Sequence, residues 1–110
     1  MQTLDVKVLR HKAKLSQEDL AKVLGTSWVT VSRWERHASQ PDSEKLARLR
    51  RFNELIKRIG KAIPEDELLN FLTTPHALLR GYRPADLLES EYSFEDLIDF
   101  VAAAKSCDMA

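Results

Sequence analysis

The chain reads as all-α. Every strongly periodic stretch of its 110 residues repeats its apolar side chains at helical spacing, none alternates apolar and polar residues long enough to make a strand, and there are only three glycines. Two helical units are expected, residues 1–62 and residues 63–110, divided where Gly60 to Pro64 breaks the pattern.

The first helix is expected from about Leu4 to Ala13, with Val6, Leu9 and Ala13 on its inner side. Ser16 with Asp19 three positions on is a capping box that opens a second helix. In that helix Leu20, Ala21 and Leu24 share one face, while Gln17, Glu18 and Lys22 lie off it. Gly25 stops it, because glycine takes the left-handed conformation that follows a helix without steric cost. Ser27 caps a third helix whose buried stripe is Val31 and Trp34, leaving Trp28, Val29, Ser32 and Arg33 outward. Two short amphipathic helices around a glycine are the arrangement that lays a helix in the major groove of DNA.

Pro41-Asp42-Ser43 reads as the turn and N-cap of a long helix, with Leu46, Leu49, Phe52, Ile56 and Ile59 inward. On its other face Arg48, Arg50, Arg51, Lys57 and Arg58 make either a phosphate rail or a solvated surface. Beyond the break, Pro64, Pro75 and Pro84 each precede a short apolar-periodic stretch, as proline at a first helical position does. The predicted segments are Glu65–Leu72, Pro75–Arg80 and Pro84–Glu89, with Gly81 a stop. Ser93 with Asp96 is read as the capping box of a last helix that buries Phe94, Leu97, Ile98, Val101 and Ala102. A unit this small makes a marginal core alone, so residues 63–110 are expected to pack on the long helix or on another chain.

Formal net charge is zero, but it is distributed unevenly. Residues 1–62 hold 14 Lys and Arg against 7 Asp and Glu, and residues 63–110 hold 3 against 10. A basic half suits phosphate neutralisation, and an acidic half that cannot approach DNA closely suits another partner or is a solvated face. No apolar run nears the roughly eighteen residues that span a bilayer, and no signal-peptide pattern opens the chain, which therefore reads as cytoplasmic with no membrane partner.

Catalysis is not expected. His11, His37 and His76 are scattered without metal-ligand spacing, so neither a metal nor a cofactor is predicted. Ser16 is better explained as a cap than as a nucleophile, and Cys107 as an incidental thiol. The acidic run Glu65, Asp66, Glu67 sits at a helix start, where the helix dipole favours negative charge.

On Leu9-Arg10, Leu15-Ser16-Gln17, Leu20-Ala21 and Val31-Ser32-Arg33-Trp34-Glu35, with Pro41 opening the next helix, the first unit resembles the Xre (Cro and phage-repressor) family. The resemblance implies a five-helix domain over about residues 4 to 60, a phosphate grip at Gln17, and base-facing residues at Trp28, Val29, Ser32 and Arg33. Ser27, Thr30 and Arg36 border these and complete the expected DNA-binding set. It also implies a structural ion pair between Arg10 and Glu35. Lys14 and His37 stand where that family commonly has glycine, which predicts altered loop paths.

Phe71 to Leu88, reading FLTTPHALLRGYRPADLL, resembles the toxin-binding domain shared by Xre, MbcA and ParS antitoxins, over about residues 64 to 105. Ala77 replaces a common second proline and Arg80 one of two adjacent glycines, which predicts an altered turn. The resemblance implies binding of a RES-type toxin that destroys NAD, together with repression of the operon. Leu78, Leu79, Tyr82, Leu87 and Leu88 are then either partner-facing or core. One helix-turn-helix reads few base pairs, so a homodimer on a palindromic double-stranded operator is expected. Two alternatives stay open: a stand-alone repressor whose acidic half only dimerises, and a protein inhibitor whose DNA-binding half serves only to fold.

Overall fold

Side-chain chemistry sets the helix ends. The structure is a computed structural model that describes residues 5–60 and 62–108, the side chains of Glu65 and of residues from 106 onward excepted. Its helices are α1 (Val6–Lys12), α2 (Gln17–Leu24), α3 (Trp28–Glu35), α4 (Ser43–Ile59), α5 (Leu68–Thr73) and α6 (Glu91–Asp108). Short 3₁₀ turns occupy Glu65–Glu67, Ala77–Leu79 and Pro84–Leu88, and no strand occurs among the described residues. The all-α expectation holds. Between residues 5 and 60 the described residues form four helices where the resemblance implied five, because 43–59 runs unbroken as one helix.

Each of the first four helices is capped by the oxygen of a short side chain. Asp5 accepts from the Val8 N–H at 3.1 Å, a cap the sequence reading missed; Leu4 lies outside the described residues. Ser16 and Asp19 form the expected reciprocal box, Ser27 accepts from Thr30, and Asp42 accepts from Lys45 at 2.8 Å. The cap of α6 differs from expectation. Ser90 accepts from the Ser93 N–H, so Ser93 lies inside the helix.

The helix exits share one device. The N–H of Leu15, Thr26 and Ala38 each reaches a carbonyl five residues back, at Arg10, Ala21 and Arg33. That closure needs a left-handed residue just before the donor. Gly25 supplies it after α2, whereas Lys14 (φ 58) and His37 (φ 60) supply it after α1 and α3. Arg80 (φ 61) does the same ahead of Gly81, whose N–H bonds to the His76 carbonyl at 2.9 Å. At Lys14, His37 and Arg80 a non-glycine residue thus holds the left-handed conformation that glycine takes without steric cost, with a backbone hydrogen bond closing each turn.

One apolar core runs through the molecule. Leu9, Leu20, Leu24 and Val31 of the first three helices join Leu49, Phe52 and Leu55 of α4, and these join Leu72, Leu88 and Leu97. Leu55, and not Ile56, is the fully buried residue at that level of α4, while Leu46 and Ala102 are more exposed than expected. Residues beyond 64 pack on α2 and α4. Only Pro84 opens a helical turn at its first position; Pro64 and Pro75 precede theirs. None of the described helices is long and apolar enough to cross a membrane.

Candidate nucleic-acid interface

On α3 the 3.6-residue period separates an inner from an outer face. Val31 and Trp34 are buried against the preceding helices, which fixes the helix on its support. Trp28 (52% exposed), Val29 (41%) and Arg33 remain outward, with Ser27 and Arg36 exposed at the ends and Thr30 and Ser32 half-buried. The acidic segment packs on α2 and α4 and leaves this face uncovered. A cationic guanidinium beside an apolar Val and an indole is a set able to meet base edges, a thymine methyl and the sugar-phosphate wall.

The start of α2 and the start of α3 border one shallow groove lined by Arg10, Gln17, Glu18 and Trp28. Gln17 is not a free side chain there. Its amide nitrogen donates to Glu35 Oε1 at 3.3 Å, a tie across 18 residues that no local spacing signals. Glu35 in turn accepts from Arg10 Nε at 2.6 Å and Arg10 Nη2 at 3.0 Å, while Arg10 Nη1 donates to the Leu15 carbonyl at 3.0 Å. Both charged side chains are largely buried. The Arg10 hydrogen bonds, aided by Gln17, hold the Glu35 carboxyl below its ordinary range, and Glu35 raises the Arg10 value. The pair locks α1 to the end of α3 and orients Gln17.

The basic face of α4 is not a continuous rail. Arg51 donates to the Leu88 carbonyl at 2.8 Å and pairs with Glu91 at 3.3 Å, so it staples the acidic segment. Arg48 lies close enough to Asp86 to favour its charged form. Lys45 donates to the Leu24 carbonyl, and Arg58 pairs with Glu54. Only Arg50 and Lys57 of the five basic residues remain exposed without an ion pair among the described residues.

In the acidic segment the expected partner-facing leucines divide. Leu79, Leu87 and Leu88 are buried in the shared core, directed inward by the 3₁₀ turns. Leu78 and Tyr82 are exposed. The Arg-Pro-Ala-Asp stretch is structural. Asp86 accepts from the Arg83 N–H and guanidinium, the latter at 2.7 Å, which lowers the Asp86 carboxyl and raises the Arg83 value. Thr73 and Thr74 close α5 through bonds to the Leu69 and Asn70 carbonyls, and His76 packs against both Phe71 and Phe100, whose rings stack on each other. No group of three or more His, Cys, Asp or Glu among the described residues is placed to hold a metal.

Two capped helices closed around Gly25, the second with an uncovered outer face, are a helix-turn-helix. Residues 6–53 match the sequence model of the family described as Helix-turn-helix. Over nearly its whole length the fold is similar to that of a chain in the crystal structure of the M. tuberculosis MbcT-MbcA toxin-antitoxin complex, with a TM-score of 0.71 and 20% identity, covering 91% of this chain and 89% of that one. No curated protein matches the chain in sequence.

Proposed function

We propose that the chain is a sequence-specific DNA-binding transcriptional regulator, the antitoxin of a RES-type toxin–antitoxin pair that represses its own operon and neutralises the toxin by direct binding. The observation that carries the DNA half is the outward row Trp28, Val29 and Arg33, rigidly backed by buried Val31 and Trp34 and left uncovered by the acidic segment. Gln17, held by Glu35, grips a phosphate at the start of α2, and Arg33 reads a base edge. Two copies bind a palindromic operator, with half-sites about one helical turn apart.

The antitoxin half is supported by the likeness in fold to a chain of a toxin-antitoxin complex and by an acidic segment that exposes Leu78 and Tyr82. Toxin binding then joins several DNA-binding units and raises operator affinity through effective concentration. The test is fluorescence anisotropy with labelled promoter DNA of the chain's own operon. Affinity that falls steeply between about 50 and 200 mM salt supports the reading, and absent or salt-insensitive binding overturns it.

A further inference from the structure

The acidic segment holds an open groove of about 410 Å³ between the turn around Arg80 and one face of α6. Leu78, 84% exposed, and Tyr82, 54% exposed, supply apolar surface on the turn side, and Phe100 lines it from α6. Asp96 and Asp99 also line it; at three positions apart they share a helix face. Neither makes an ion pair with any described residue.

The segment has little positive charge of its own to offer them. Arg83 is engaged by Asp86, and Lys105 donates to the Arg58 carbonyl. Arg80 lines the same groove but pairs with neither carboxylate, which leaves two negative charges facing one positive charge. An apolar wall ending in carboxylates fits a long cationic side chain, whose methylenes lie along the apolar surface while its head meets the charge. Tyr82 adds a ring face for such a cation.

We propose that this groove receives an arginine- or lysine-bearing segment of the toxin partner, its stem along Leu78 and Tyr82 and its charged head on Asp96 and Asp99. The proposal rests on the antitoxin reading above. A second copy of this chain, which exposes Arg50 and Lys57 without an ion pair among the described residues, is the rival occupant that the test below separates from the toxin. Arg80 acts as a weak competitor for the same carboxylates.

The test titrates the full chain with the purified RES-type toxin of the adjacent reading frame, by calorimetry at low and moderate salt. Asp96→Asn with Asp99→Asn is expected to weaken binding about tenfold or more and to flatten its salt dependence. Leu78→Ser weakens it at every salt concentration, and Arg80→Ala tightens it. All variants keep the wild-type circular dichroism and operator affinity. Tight wild-type binding that the carboxamide pair leaves unchanged overturns the groove but not the antitoxin reading. No binding by the wild type overturns both. Self-association of the chain alone that the carboxamide pair abolishes assigns the groove to a second copy and overturns the proposal.

Discussion

The guanidinium of Arg10 meets both carboxylate oxygens of Glu35, with Nε to Oε2 at 2.6 Å and Nη2 to Oε1 at 3.0 Å, across 25 residues of sequence. The pair stands at the junction of α1, the end of α3 and the start of α2, since Arg10 also takes the Leu15 carbonyl and Glu35 also takes Gln17. Removing Arg10 leaves a carboxylate only 6% exposed without its counter-charge. Arg10→Ala is therefore expected to destabilise the fold by about 3 kcal/mol in urea titration. A loss below half a kilocalorie would show that water solvates Glu35 adequately and that the lock is unimportant.

The same pair sets an acid dependence. The Glu35 carboxyl is held below its ordinary range in the folded chain, chiefly by the Arg10 hydrogen bonds. In the window between the two values the unfolded chain binds more protons, so stability rises with pH there. The contribution is complete above the ordinary glutamate value and is lost as pH falls through the depressed folded one. Asp86, lowered by Arg83, acts with the same sign but more weakly, because that pair is more than a third exposed to solvent. Urea midpoints measured down the acid range should fall less steeply for Arg10→Ala than for the wild type. Parallel slopes would place the acid sensitivity elsewhere.

Three helix exits with the same closure give an internal comparison. Gly25 has open space around a built Cβ, so Gly25→Ala carries conformational strain alone, about 1 kcal/mol. Lys14 already bears that strain at φ 58. Lys14→Gly relieves about 1–2 kcal/mol of it and gives back about 0.4–1 kcal/mol in unfolded-chain entropy, for a net stabilisation of up to about 1.6 kcal/mol. Thermal melts of the two single variants should shift in opposite directions. A loss of stability in Lys14→Gly would mean that its side chain contributes more than its backbone strain removes.

What the sequence made legible was whatever local chemistry decides. The Ser16 and Asp19 box, the Gly25 stop, the Ser27 cap and the buried pair Val31 and Trp34 each follow from spacing within a few residues. Resemblance supplied the Arg10–Glu35 pair, which spacing could not. What stayed hidden depends on distant packing. Leu55 displaced Ile56 from the core, Arg51 turned from a supposed DNA face to the Leu88 carbonyl, and Leu87 and Leu88 went inward because α4 and α6 meet there. The short segments after Pro64 were placed correctly, but mostly as 3₁₀ turns, too brief for periodicity to define.

Arg33 is the exposed cation on the outer face of α3. Bidentate contact with a guanine would make Arg33→Ala weaken the cognate operator by about 1 to 3 kcal/mol and relax one base position. Anisotropy against a panel of single-base operator variants separates this from a phosphate contact, which would weaken every sequence alike.

Arg51 links the oppositely charged parts of the chain. Its Nη1 satisfies the Leu88 carbonyl at 2.8 Å, and the fully buried Phe52 and Leu55 beside it on α4 belong to the same core as Leu72, Leu88 and Leu97. Arg51→Ala leaves that carbonyl without its charged donor, for an expected loss of about 2 kcal/mol. Shared burial further requires that basic and acidic parts unfold together. Both tryptophans lie before residue 35, so their fluorescence reports only the first part, whereas far-ultraviolet circular dichroism reports every helix. Coincident transitions by the two probes are expected in the wild type and in Arg51→Ala, the latter at lower denaturant. A fluorescence transition that separates from the dichroism in the wild type would show that residues 63–110 detach independently, and that the interior they share with α4 is too weak to couple them to the first three helices.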